Sequence, residues 1–119
     1  MTYSQNQMII MKTTDYIAQH YQDSIPLSKL LQIANMPKSY YLRLFRQYIG
    51  TTPHNYLLSL HITKAKEYLE ITSMTIHEIA CILGFTDDAA FSNCFRATMK
   101  TSPFQYHRKN AITKQQIQQ

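Results

Sequence analysis

Apolar residues return every three or four positions through most of the chain, and no strand-length run alternates, so the pattern predicts helices throughout. A first helix is expected over about Gln7 to Tyr21, with Ile10, Ile17 and Tyr21 on its buried stripe and Met8 and Met11 nearby. Asp23-Ser24 breaks the pattern. A short helix follows from Leu27 to about Ala34, with Leu27, Leu30 and Leu31 inward. Asn35 suits a left-handed turn, and Pro37 suits the first turn of the next helix, where its missing N–H is not needed. That helix should reach Ile49 and stop at Gly50. Thr52-Pro53 opens the longest helix, Thr52 as N-cap and Pro53 as first helical residue. Its stripe of Leu58, Ile62, Ala65 and Leu69 runs to about Glu70.

Thr75-Ile76-His77-Glu78 reads as a capping box, in which the Thr hydroxyl and the Glu carboxylate satisfy each other's backbone N–H groups. The helix it starts carries Ile76, Ile79, Ala80 and Leu83 inward and stops at Gly84. Asp87 caps the next helix, which includes Phe91, Cys94 and Phe95. Ser102-Pro103 opens a last short helix to about Lys109, followed by a polar, Gln-rich tail. The expected fold is all-α with seven helices. Two glycines and four prolines are too few for the many tight turns of an all-β fold.

The chain also repeats itself. Phe45-Arg46 recurs as Phe95-Arg96, and Thr51-Thr52-Pro53 with Tyr56 recurs as Thr101-Ser102-Pro103 with Tyr106, all 50 residues on. Leu27, Leu30 and Ile33 recur as Ile76, Ile79 and Ile82 at 49, so the register slips by one in the turn from Gly84 to Asp87. Each copy is a short helix, a tight turn and a longer helix. That is a helix-turn-helix unit whose second helix has the size to enter a DNA major groove. Only two copies with different flanking helices argue against an α-solenoid. The expected organisation is one double helix-turn-helix domain: a first unit over about 7–52, a linking helix over about 53–70, a second unit over about 71–109 and a tail over 110–119. The linking helix, about 18 residues and about 27 Å long, is long enough to hold two reading heads roughly one turn of duplex apart. A monomer would then read an asymmetric site.

Charge sharpens the picture. The formal net charge is +5, and no acid lies between Ser24 and Lys66 or after Ala89, although both stretches are rich in Lys and Arg. Such blocks suit a polyanion, or a solvated basic surface. The N-terminal apolar cluster is too short for a signal peptide and no later stretch approaches a membrane span, so a cytoplasmic protein is expected. Cys81 and Cys94 form no CxxC pair and fall on apolar helix positions, which predicts reduced core residues. His77 and Cys81 are four apart, but no second ligand pair accompanies them, so no metal or other cofactor is expected. There is no phosphate loop, HExxH or nucleophile elbow, which speaks against an enzyme.

Candidate DNA contacts follow from the faces. In the first reading helix Ser39, Tyr40, Leu42, Arg43 and Arg46 fall outside the stripe of Tyr41, Leu44 and Phe45. Arg43 has the donor geometry for guanine, whereas Lys38 and Arg46, near the helix ends, suit phosphate. In the second, Asp88, Ala89, Ala90, Ser92, Asn93 and Arg96 face outward. Asn93 suits adenine, Ala89 or Ala90 a thymine methyl, and Arg96 and Lys100 phosphate. The N–H groups after Pro53 and Pro103, with Thr52 and Ser102, offer two more phosphate sites at helix N-termini.

At these residues the chain resembles the AraC/XylS family of bacterial transcription regulators. The resemblance rests on Ile76-His77-Glu78-Ile79-Ala80, Gly84-Phe85, Asp87, Phe91-Ser92-Asn93-Cys94-Phe95-Arg96 and Lys100-Thr101-Ser102-Pro103-Phe104-Gln105-Tyr106-His107. It covers about Ile9 to Lys109. Lys100 stands where the family usually has Gly, Leu31 where Ala is usual, Pro37 where a Ser N-cap is usual, and His61 and His107 where Arg is usual. The resemblance implies sequence-specific binding of double-stranded DNA, activation through contact with RNA polymerase, and room for an effector or dimerisation domain outside this stretch. The alternative is a protein-interaction module of the same fold with weak or lost DNA binding, because Leu42, Asp88 and the two alanines weaken direct readout.

Overall fold

A computed structural model describes residues 3–109. Among them are seven helices and no strand: α1 (Gln5–Gln19), α2 (Leu27–Ala34), α3 (Lys38–Ile49), α4 (Pro53–Ile71), α5 (Ile76–Ile82), α6 (Asp88–Met99) and α7, which covers 103–109. The polar tail after residue 109 lies outside the described residues. No described helix is long and apolar enough to cross a membrane. The chain divides into two compact units, Met1–Leu60 and His61–Gln119.

The first unit starts earlier than periodicity alone predicts. Ser4 and Gln7 form a capping box: the Gln7 N–H donates to Ser4 Oγ at 3.1 Å and the Ser4 N–H to Gln7 Oε1 at 3.0 Å. α1 therefore begins at Gln5 and ends at Gln19, leaving Tyr21 beyond it. Its buried side is Ile10, Thr13 and Ile17, while Met8 and Met11 are exposed. These residues meet Leu30 and Ala34 of α2 and Tyr41, Leu44 and Phe45 of α3 in one core. Thr13 is tolerated there because its hydroxyl is fully used. It donates to the Ile10 carbonyl at 2.7 Å and accepts from the Tyr41 hydroxyl at 3.1 Å. Asn35 takes the left-handed turn expected of it, φ 54°, its N–H closing on the Leu31 carbonyl. Pro37 sits one place earlier than expected, at the N-cap with extended backbone (ψ 152°), so α3 starts at Lys38 without a side-chain cap. Gly50, φ 93°, ends α3.

In the second unit, Thr75 and Glu78 form the expected capping box on α5. Gly84 turns the chain at φ 83°, and Asp87 caps α6, accepting from the Ala90 N–H at 2.7 Å. The buried side chains are Ile79, Ala80, Leu83, Phe91, Phe95 and Pro103, with His61, Ile62, Ala65 and Leu69 from α4. The cysteines correct the expectation of core residues: Cys81 is exposed and Cys94 half-buried. The inward face of α5 is taken by Ile79 and Ala80, with the C-cap Leu83 beyond them, and helical geometry turns position 81 away from it. Burial pushes the Cys94 thiol pKa up.

The repeat is visible as a three-ring stack in each unit. Tyr41 and Phe45 have ring centroids 5.8 Å apart, and Phe45 meets Tyr56 edge-on at 5.9 Å. Phe91 and Phe95 are 6.0 Å apart, and Phe95 meets Tyr106 edge-on at 5.5 Å. The stacks fasten α3 to α4 and α6 to α7. The Tyr106 hydroxyl is in turn bonded to Glu70.

Lys100 holds the left-handed C-cap of α6 at φ 62°, where the matched residue of the first unit is Gly50. A side chain there is disfavoured by about 1–2 kcal/mol, partly offset by the extra freedom glycine gives the unfolded chain. Lys100→Gly should therefore raise stability by about 0.5–1 kcal/mol in urea unfolding. For Tyr41, burial raises the phenol pKa and the Thr13 hydrogen bond acts against that. The folded state thus holds this proton more tightly than the unfolded chain. Its contribution is complete below about pH 10 and is lost as pH rises towards the folded value. Tyr41→Phe should cost about 0.5–1.5 kcal/mol at neutral pH and should remove part of the alkaline loss of stability.

Candidate nucleic-acid interface

α3 divides cleanly into two sides. Tyr41, Leu44 and Phe45 are buried, and Lys38, Ser39, Tyr40, Arg43 and Arg46 are exposed. Ser39, Arg43 and Arg46 follow one another at spacings of four and three and so share one side of the helix, with Lys38 and Tyr40 flanking it in the first turn. Two of them are coupled. The Arg43 guanidinium lies 5.3 Å from the Tyr40 ring centroid, a cation–π contact that limits the wandering of a long side chain. The Tyr40 hydroxyl accepts from Asn6 Nδ2 at 3.1 Å, which ties the pair to α1. Asn6 is 34 residues away in sequence, and nothing local in the chain announces this contact.

Leu42 corrects the expected outward placement. It is half-buried and packs against the first unit's core. It also lines, with Ile17, Ile25, Leu27, Leu30 and Leu57, an apolar cavity of about 370 Å³. The stripe of α3 taken alone leaves out α1 and α2, whose core residues Leu42 packs on.

α6 presents a shorter set. Asp88, Ala89, Asn93 and Arg96 are exposed, while Ala90 and Ser92 are half-buried. The Asp88 carboxylate is engaged by His77 Nδ1 at 2.8 Å. Lys100 is exposed, but its ammonium bends back to donate to the Ala97 carbonyl at 3.2 Å. Thr52 and Ser102 are half-buried and act as N-caps, accepting from the Asn55 N–H at 3.2 Å and the Gln105 N–H at 3.1 Å. Pro53 and Pro103 beside them are buried.

The electrostatics favour an external anion. The ion pairs of the described residues are His20–Asp23, Lys64–Glu67 and His77–Asp88. None of them uses Lys38, Arg43, Arg46, Arg96 or Lys100. On α3, three cations therefore share one surface with no carboxylate against them. Arginine and lysine so placed can donate to phosphate oxygens or to base edges. The described residues hold no group of three or more His, Cys, Asp or Glu side chains arranged to bind a metal ion.

A sequence profile of helix-turn-helix domains matches residues 30–109. Among curated relatives, the probable transcriptional regulator LumQ of Photobacterium leiognathi is 32% identical over 92 residues, covering 77% of this chain and 37% of that protein. The chain thus spans little more than a third of that relative's length. Among solved structures, the C-terminal domain of AraT, a response regulator from Geobacillus stearothermophilus, superposes with a TM-score of 0.82 at 30% identity, over 89% of this chain and 88% of that one. The DNA-binding domain of AdpA, solved with a target DNA, shares the fold with a TM-score of 0.84 at 22% identity, over 90% of this chain and 96% of that one.

The placement of Leu42 yields a test. Leu42→Ala should destabilise the first unit by about 1–2 kcal/mol, below the range for a fully buried leucine because the side chain is only half-buried. It should leave the ratio of specific to non-specific duplex affinity unchanged. Urea unfolding and binding titrations on the same variant would check both halves.

Proposed function

The chain belongs to the AraC-type family of helix-turn-helix transcription regulators, and from that premise we propose that it binds double-stranded DNA sequence-specifically, each unit reading one major-groove segment. The observation that carries the proposal is the row of exposed cations on α3, none of them ion-paired within the described residues. Ser39, Tyr40 and Arg43 contact bases in the first segment, with Arg43 held by Tyr40 as the main determinant. Ala89, Ala90, Ser92 and Asn93 read the second. Lys38, Arg46, Thr52, Arg96, Lys100 and Ser102 contact phosphates, Thr52 and Ser102 at the N-termini of their helices. Because two reading helices lie on one chain, a single copy serves an asymmetric site. The family resemblance extends the proposal to activation of transcription in the cytoplasm by contact with RNA polymerase, with any effector response lying outside this stretch.

A second reading, a protein-interaction module with little DNA affinity, draws on the acid and the alanines at the start of α6. Salt separates the two. Lys38, Arg46, Arg96 and Lys100 are four phosphate-facing cations, so the log–log slope of affinity against salt should be about −3.6, at about −0.9 per phosphate. A flat response measured by fluorescence anisotropy on a short duplex favours the interaction module.

The unequal heads give a mutational test. Arg43→Ala should cost about 1–3 kcal/mol on a selected site and little on random duplex. Arg46→Ala and Arg96→Ala should weaken both alike, because phosphate contacts carry no sequence information. Asn93→Ala should be selective in the manner of Arg43→Ala but smaller. If Asn93→Ala collapses the specificity ratio while Arg43→Ala leaves it intact, the second head dominates instead.

A further inference from the structure

Outside the reading helices' basic edge, the second unit carries a cluster that DNA binding does not use. Cys81 Sγ lies 3.7 Å from His77 Nε2, and His77 Nδ1 lies 2.8 Å from Asp88 Oδ1. We propose that Cys81, His77 and Asp88 form a thiol-modification site that exchanges with low-molecular-weight disulfides and thereby weakens the second reading head's hold on DNA.

The geometry is that of a nucleophile, its base and the group that orients the base. His77 and Cys81 are four apart on α5 and so share its outer face. A carboxylate only accepts hydrogen bonds, so the ring nitrogen facing Asp88 carries the proton. In the neutral ring Nε2 is then the lone-pair nitrogen, and it faces the thiol. All three side chains are open to solvent: Cys81 is exposed, and His77 and Asp88 are 72% and 52% accessible. Cys94 provides an internal contrast. It is half-buried, none of the observed hydrogen bonds joins it to a base, and burial disfavours its thiolate.

The step balances without a further oxidant. Cys81 Sγ attacks one sulfur of the disulfide as His77 Nε2 takes the thiol proton. A new S–S bond forms at Cys81, the old one breaks, and the departing thiolate collects the proton from His77. The Cys81 sulfur is oxidised and the departing half is reduced to a thiol. Because His77 holds Asp88, the first residue of α6, an adduct on Cys81 disturbs the start of that helix. If the adduct is glutathione, it also brings negative charge towards the phosphates. This last consequence rests on the proposed DNA interface, whereas the thiol chemistry does not.

The test has two arms on the full chain. In the first, dithiobis(nitrobenzoate) is the probe, with peptide mass mapping of the sites. Cys81 should react in a fast phase that Cys81→Ser abolishes, and Cys94 in a slow one. His77→Gln should slow only the fast phase, by about fivefold or more, a small part of what general base catalysis can supply. The imidazole nitrogen spectrum should show the Nδ1–H tautomer in the wild type and lose it in Asp88→Ala. Equal rates at the two cysteines, or a smaller effect of His77→Gln, overturns the site. In the second arm, oxidised glutathione should lower duplex affinity by about threefold or more in the wild type and leave Cys81→Ser unaffected. Equal affinities before and after modification overturn the link to DNA. A failure of the unmodified chain to bind duplex would sink the proposed function instead, and would leave the thiol rates as they are.

Discussion

Each unit depends on a stack of three aromatic rings. Tyr41, Phe45 and Tyr56 in the first, and Phe91, Phe95 and Tyr106 in the second, join the inner face of a reading helix to the helix that follows its Thr/Ser-Pro cap. Aromatic pairs at these spacings add directional preference to the area they bury. The stack sets which way α3 or α6 is rotated, and that rotation decides which side chains are left outside. Lys38, Ser39, Tyr40, Arg43 and Arg46 are exposed because Tyr41, Leu44 and Phe45 are not. The left-handed residues that end α3 and α6, Gly50 and Lys100, deliver the chain to the cap at the right place.

The two units use this common frame differently. In the first, the ring at position 41 carries a hydroxyl, and α1 answers it with Thr13, so the stack is also pinned by a buried hydrogen bond. α1 returns to the surface through Asn6 to hold Tyr40, and Tyr40 in turn carries Arg43. One added helix thus braces both the inside and the outside of α3. In the second unit the matched ring is Phe91, which packs on Phe85, and the Phe85 ring also meets His61 at 5.3 Å. No long donor is braced there. The exposed set on α6 is short apart from Arg96, and Asp88 is tied to His77. The two units therefore differ in how their exposed helix faces are braced.

Much of the fold was legible because its signals are local. Caps at Thr52, Thr75, Asp87 and Ser102, the left-handed Asn35 and the 50-residue repeat can all be read within a few positions or by self-comparison. The start of α1 is legible in principle, since Ser4 and Gln7 have capping-box spacing, but the apolar stripe itself begins later. What was not legible lies between elements. Leu42 looks outward on an isolated α3 and is half-buried because it packs on the core that α1, α2 and α3 build together. Cys81 looks apolar in composition, yet the buried side of the short α5 is Ile79 and Ala80, with Leu83 just after it. The contacts Asn6–Tyr40, Thr13–Tyr41 and His77–Asp88 join residues whose spacing is set by tertiary packing, so no periodicity points to them.

The proposal that one chain carries two reading heads can be tested by hydroxyl-radical footprinting on a duplex selected from a random pool, at equimolar protein. Two protected groove segments from a single bound copy are expected, the first lost selectively in Arg43→Ala and the second in Asn93→Ala. A single protected segment, or protection that appears only when two copies occupy a palindrome, would contradict it.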